Sequence, residues 1–227
     1  MSRTLNPKLS LPPPHCSPLR AKPRRQFLLS GLAGWASAVL PQPAHAGAQV
    51  EEPLADAVRT ALSAAVANSA PPKPHFDNIE ARLAYLRWLG TMSERLKPRK
   101  TEAQTRIEFL ETLWYESKRA GLEPSLVLGL VQVESGFRKY VISSAGARGY
   151  MQVMPFWMNA IGDGKASRLF HMQTNLRFGC VILRHYLDRE RGDVFLALGR
   201  YNGSRGRPEY PRAVLASRQQ WLMPGDT

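Results

Sequence analysis

Residues 125–135 read SLVLGLVQVES, and no other stretch limits the fold so tightly. Pro124 just before it suits the first turn of a helix, where its missing N–H has no intrahelical partner to lose. The body of the segment is apolar nearly all round. A helix of that kind belongs at the centre of a packed domain, with neighbours covering every side. Glu134 closes it. A carboxylate there has little water to solvate its charge, and it sits at the negative pole of the helix. Both effects favour the protonated form. A carboxylic acid still protonated near neutral pH can give a proton to a leaving group. The plainer alternative is a side chain that reaches round the helix end to solvent, as most glutamates do.

The flanking sequence supplies helices to cover that centre. Residues 54–67 read as a weak helix, and the stretch 47–75, rich in Ala and Pro, as a linker ahead of the domain. Asp77 can cap a helix with apolar positions Ile79, Leu83, Leu86, Leu89 or Met92, and Leu96, ended by Pro98. Thr101 can cap the next, with Ile107, Leu110, Leu113 and Trp114 inward and Gly121 at its C-terminal cap. After Glu134 the stretch to Gly149 is turn-rich, with short β pieces expected near Val141-Ile142 and Tyr150-Met151. Pro155 opens a short helix. Residues 174–190 form a long one, with Leu176, Cys180, Leu183 and Leu187 on one face and Gly192 as its breaker. Segments 194–201 and 210–221 complete the set. The expected fold class is mainly α, with a small β/loop element after the Glu134 helix, over residues 76–221.

Composition narrows the partners. The chain has 227 residues and a formal charge of +13. Six of the cations lie in residues 1–46, which contain no acid, so the remainder carries +7. Such a surface suits nucleic acid, an anionic membrane or an acidic polymer such as a cell wall. The leader chooses among them. Residues 24–29 read RRQFLL, followed by the apolar run Phe27–Leu40 and then Ala44-His45-Ala46. A positive start, a short apolar run and an A-x-A site make a signal peptide, residues 1–46. The run is shorter than the about 20 residues a membrane span takes. Arg24-Arg25 with Phe27-Leu28 resembles a twin-arginine export signal, although Pro23 and Leu29 depart from its pattern and leave Sec export open. Export to the periplasm or cell envelope argues against nucleic acid. Cys16 lies in the leader, which leaves Cys180 as the only cysteine of the exported part and no intramolecular disulfide. The five histidines are scattered, without metal-ligand spacing.

No Asp or Glu occurs from Ser135 through Gly162, so Glu134 stands alone in a run of Ser, Gly, Met, Gln and aromatics. Ser143 lies in a loop with Gly146 and Gly149, whose freedom at positive φ allows close backbone approach. Gln152 offers a donor and an acceptor to a neutral polar ligand. Met151, Met154, Phe156 and Trp157 supply apolar faces on which sugars stack, or else pack in the core.

ESGF (134–137), SSAGARGYMQVMP (143–155), NLRFG (175–179) and YNGS (201–204), in that order, resemble the motif set of the Slt-type lytic transglycosylases of the lysozyme-like superfamily. The resemblance covers roughly residues 105–215. It departs at Tyr150, where Leu is usual, at Ser144 (commonly Pro) and at Arg200 (commonly Ala). It implies a lysozyme-like helical domain and cleavage of the bond between N-acetylmuramic acid and N-acetylglucosamine in peptidoglycan glycan strands. Most glycosidases use two carboxylates. The resemblance implies one, Glu134, as general acid and then base, with the substrate's own acetamido group in the second role and a 1,6-anhydromuramoyl product. It places Ser143 near Glu134 or the acetamido group, Gln152 and Met154 along the central subsites, and Tyr201 on the opposite wall reaching substrate or Glu134. Asn202 is balanced between a ligand role and a structural one; Asn175 reads as a helix-start residue. No metal or organic cofactor is expected. The chain is expected to act as a monomer, and its brevity is compatible with service to a secretion or conjugation machine. Two alternatives stay open: a hydrolytic goose-type muramidase, for which Asp163 is the nearest second acid in sequence, and a non-catalytic peptidoglycan-binding module.

Overall fold

The computed structural model describes residues 49–67 and 74–224; the expected leader lies outside them. The described chain is mainly helical: α1 (Asp56–Ala67), α2 (Ile79–Leu96), α3 (Ala103–Arg119), α4 (Pro124–Ser135), α5 (Phe156–Ile161), a 3-10 turn (Ala166–Phe170), α6 (Met172–Arg189), α7 (Val194–Asn202) and α8 (Glu209–Gln219). The only β pairing among the described residues is two isolated antiparallel bridges, Ile142 with Arg148 and Arg148 with Val153. They pin the turn-rich segment after α4.

The apolar segment lies at the centre, as its composition requires. Leu126 through Val131 are all buried in α4. Its closest neighbour is α8. A Cβ on Gly129 would lie 2.7 Å from the backbone N of Arg218 and 2.9 Å from the Val214 carbonyl. Only a glycine lets the two backbones approach so far. Between α3 and α6 the contact is ionic. Arg177 donates from Nε (3.0 Å) and Nη2 (2.8 Å) to Glu116 Oε1, and both residues are buried. Arg119 Nη1 reaches the other Glu116 oxygen at 3.4 Å, and removing either member of the buried pair is strongly destabilising.

Helix α2 turns a different face inward than its leucine spacing suggests. Ile79, Leu83 and Leu86 are 69%, 49% and 49% exposed, while Tyr85, Trp88, Leu89, Met92, Ser93 and Leu96 are buried. The helix carries apolar residues on two sides, and the aromatic side wins the core. Tyr85 packs on Phe76 (5.0 Å between ring centroids), Trp114 (4.8 Å) and Trp88 (6.3 Å). Its cap is Asn78, which accepts from the Ala81 N–H, rather than Asp77. Likewise Glu102, not Thr101, caps α3, accepting from Gln104 and Thr105. Gly121, at φ 65°, sits just past the end of α3 as expected.

Within the stretch 47–75 read as a linker, residues 49–67 pack against the domain. Leu62 of α1 is buried, Glu52 pairs with Arg189 and Arg200, and Trp157 Nε1 donates to Gln49 Oε1 at 2.9 Å. No helix among the described residues is long and apolar enough to cross a membrane.

Candidate active site

Glu134 occupies the last turn of α4, and the chain leaves that helix abruptly. Gly136 (φ 56°) and Phe137 (φ 65°) both adopt the left-handed conformation. For Phe137 this costs about 1–2 kcal/mol, and burial of its ring offsets it. The ring packs edge-on against Phe109 (5.9 Å) and Trp221 (5.3 Å). The sharp exit leaves the Glu134 side chain inside rather than at the surface: it is 4% exposed.

One carboxyl oxygen has a partner. Tyr210, in the first turn of α8, donates its O–H to Glu134 Oε1 at 2.5 Å. The other, Oε2, is buried and makes no hydrogen bond to any described residue. Burial pushes the Glu134 pKa up to about 8, and the Tyr210 hydrogen bond works against that rise. Desolvation therefore outweighs hydrogen bonding. The plainer alternative, an acid reaching out to solvent, does not describe this side chain.

The loop after α4 forms the next wall. Ser135 Oγ donates to the Tyr150 carbonyl at 2.7 Å, tying the helix end to that loop. Gln152 is fully buried and left-handed at φ 46°, a conformation uncommon for a residue with a side chain. Its Nε2 donates to the carbonyls of Gly149 (2.9 Å) and Val141 (3.2 Å), while Oε1 has no partner among the described residues. The amide is thereby oriented, with its acceptor left over. Asn175 is buried in the first turn of α6. It accepts from the Met151 N–H at 2.8 Å and donates to the carbonyls of Arg148 and Leu169, each at 2.8 Å. It works as a staple across the loop more than as a helix start. Gly179 of α6 lets Met151 close in, since a Cβ there would lie 2.3 Å from the Met151 sulfur.

The remaining sequence-derived candidates fall in different places. Tyr201 on α7 is fully buried, but its O–H donates to the Met151 carbonyl at 2.8 Å and not to Glu134. Burial, and secondarily the charge of Glu134, holds its pKa well above the usual value. It supports the wall, and Tyr210 makes the bond to the acid. Ser143 Oγ accepts from the Ala147 N–H at 3.1 Å within its own loop. Met154 is half-buried against the core. Asn202 is buried at the end of α7, before the left-handed Gly203. Asp163 is held by Arg168 Nη1 at 2.5 Å and by the Lys165 N–H. Those bonds lower its pKa and make it a poor second acid. Cys180 is fully buried, and burial raises its thiol far above the ordinary range, so it packs as a small hydrophobe.

Two departures from the motif set find structural roles. Tyr150 is buried, and its hydroxyl accepts from Lys100 Nζ at 3.0 Å. Arg200 turns to Glu52 and Glu190. Tyr210 is the one site residue that motif reading passed over. Its spacing from Val214 and Ser217 puts it on the inward face of α8. A buried tyrosine hydroxyl needs a partner, and that was the available signal.

Residues 112–220 match the family model described as the transglycosylase SLT domain. A transglycosylase of Enterobacteria phage PRD1 is 37% identical over 97 residues, covering 43% of this chain and 35% of that protein. A membrane-bound lytic murein transglycosylase C of Actinobacillus pleuropneumoniae is 48% identical over 48 residues, covering 21% of this chain and 13% of that protein. Among solved structures, the lytic transglycosylase Slt from Pseudomonas aeruginosa aligns at TM-score 0.40 and 23% identity, over 62% of this chain and 27% of that one. The chain spans about a third or less of the length of these relatives.

Proposed function

We propose, from the premise that residues 112–220 form an SLT-type transglycosylase domain, that this chain is a peptidoglycan lytic transglycosylase with Glu134 as its single acid and base. The observation that carries the reading is the divided environment of the Glu134 carboxyl. Oε1 accepts from Tyr210, so the acid proton resides on Oε2, which has no protein partner among the described residues. With a pKa near 8 the group is mostly protonated at neutral pH. It is a general acid with its proton on the free side.

In the first step Glu134 gives that proton to the glycosidic oxygen between N-acetylmuramic acid and N-acetylglucosamine. The bond to C1 breaks as the muramoyl acetamido oxygen bonds to C1, forming an oxazolinium. Glu134 is now a carboxylate, and the hydrogen bond from Tyr210 stabilises it. In the second step it takes the proton of the muramoyl C6 hydroxyl while that oxygen attacks C1 and displaces the acetamido oxygen. The product is a 1,6-anhydromuramoyl end; the proton is back on Glu134 and no water is consumed. Gln152 presents a fixed acceptor, suited to an acetamido N–H of the strand. Tyr201 supports the loop that carries Gln152, and Ser143, Met154 and Asn202 contact the strand. Residues 1–46 act as an export signal, twin-arginine or Sec, and the working place is the periplasm or cell envelope. The Actinobacillus relative is named as membrane-bound, which is consistent with that location.

Mass spectrometry of muropeptides from purified sacculi tests the reading. Anhydro ends, lighter by one water than reducing ends, are expected from the wild-type chain, and Glu134→Gln is expected to abolish them. Reducing ends instead would make the protein a hydrolytic muramidase. Release equal in both proteins would remove Glu134 from the mechanism, and wall binding without release would leave a binding module.

A further inference from the structure

Beside the segment that leaves α4 lies a group of cations held close together without a direct carboxylate partner. Arg99 and Lys100 come from the α2–α3 connection, Arg138 and Lys139 from the turn after Glu134. None of the four makes an ion pair among the described residues. Lys139 instead lowers the pKa of Lys100, second only to burial. The carboxylate that acts on Lys100, Glu102, is engaged in capping α3. Like charges gathered without ion-pair partners raise the energy of the empty surface, and the fold nevertheless holds them in place. Arg99 lies over the Phe137 ring at 5.8 Å. Lys100 lies over Phe109 (5.3 Å) and Tyr150 (5.0 Å) and donates to the Tyr150 hydroxyl. Lys139 lies over Tyr140 at 5.2 Å, and Arg138 Nε donates to the Ser135 carbonyl at 2.9 Å. The cations are thus positioned by rings and backbone rather than by acids. Tyr140 beside them is 73% exposed. Through Ser135, which bonds to the Tyr150 carbonyl, the group connects directly to the residue after Glu134.

We infer that Arg99, Lys100, Arg138 and Lys139 form a carboxylate-binding surface that takes the acidic peptide stems of the glycan strand cut at Glu134. The inference rests on the proposed activity and adds a substrate preference to it: strands that carry stems over strands stripped of them. Tyr150 is part of the device, because a leucine there could not receive the Lys100 ammonium. Stem carboxylates supply the missing counter-charge, and Tyr140 gives the stem an exposed ring to lie against.

The test compares intact sacculi with the stem-free glycan strands that an amidase releases from them (stripped sacculi), at low and at physiological salt. For the wild type the KM is expected to be lower on intact material. Arg99→Ser/Lys139→Ser is expected to raise the KM on intact sacculi about five- to tenfold, the size of two modest exposed charge contacts. The KM on stripped sacculi moves less than twofold. Tyr150→Phe, which removes one oxygen and keeps the packing, is expected to shift the KM the same way by a smaller factor. Arg82→Ser/Arg87→Ser, on the outer face of α2, loses equal charge and is expected to preserve the preference. Equal change on both substrates, or an equal effect of the α2 pair, overturns the inference. So does binding to anionic phospholipid vesicles that the Arg99/Lys139 variant alone loses, since the surface would then serve a membrane. Equilibrium binding of the Glu134→Gln variant to soluble stem-bearing strands and to stem-free strands reads stem preference without turnover. A failure of the proposed activity therefore stays distinguishable from a failure of this surface.

Discussion

Replacing Glu134 by Gln should make the protein more stable, and by an amount that depends on pH. Gln copies the protonated acid in shape: its oxygen can accept from Tyr210, and its NH2 takes the place of the proton on Oε2. The wild-type carboxyl has a pKa near 8 when folded, against an ordinary value of 4.5. Below about pH 4 both folded and unfolded chains carry the proton, and the two proteins should differ little. Between 4.5 and 8 the unfolded chain releases its proton while the folded chain keeps it. The folded state then binds more protons, so wild-type stability falls as pH rises. Each pH unit removes about 1.4 kcal/mol. At pH 7 the deficit is about 3 kcal/mol, and above pH 8 it levels off near ~5 kcal/mol. For a domain of this size 1 kcal/mol moves Tm by about 2–4 °C, so the Gln variant should melt roughly 6–12 °C higher at pH 7. Thermal unfolding of both proteins from pH 4 to 9 measures the gap. A gap that stays constant across that range, or that favours the wild type at high pH, would show that Glu134 is not held as a desolvated acid.

Three further substitutions probe the supports of that acid. Tyr210→Phe removes a hydrogen bond to an ionised carboxylate, worth about 1.5–3 kcal/mol; the alkaline limb of the pH–rate profile should move up by about one to two units, while kcat falls because the carboxylate formed in the first step is less stabilised. An unmoved profile would assign Tyr210 a packing role only. Gly129→Ala places a methyl within 3 Å of α8 backbone, and chemical denaturation should show a loss of about 1–3 kcal/mol with activity lost alongside, as α8 carries Tyr210. Glu116→Gln removes the charge opposite the buried Arg177 and should cost about 3–5 kcal/mol, read as a lowered denaturation midpoint, with the pH dependence of lysis left in place.

Much of the site was legible in the sequence because it obeys local rules. The apolar run 125–135 read as central, and that placement made a poorly hydrated acid at its end one of two readings, the other being a side chain turned to solvent. The ordered motifs marked the loop with Gln152 and the wall with Tyr201. What escaped was decided by competition between distant segments. In α2 the leucines and the aromatics each mark an inward face, and only the arrival of Trp114 and Phe76 makes the aromatic face win. Tyr201 and Tyr210 are both buried tyrosines on adjacent helices, and nothing local says which hydroxyl meets Glu134. The Glu116–Arg177 pair joins residues 61 apart in sequence, beyond the reach of any periodicity. The capping residues were each missed by one position, because Asp77 and Asn78, like Thr101 and Glu102, can both accept from a first-turn N–H.

The bond between Glu134 and Tyr210 spans 76 residues, and that separation has a meaning for the life of the chain. A polypeptide made from its N-terminus acquires the acid long before it acquires the hydroxyl that restrains it. Until α8 has been synthesised and has settled against α4, the carboxyl lies open to water and titrates as an ordinary glutamate. The raised pKa of Glu134 is therefore a property of the finished fold, among the last that the folding chain gains.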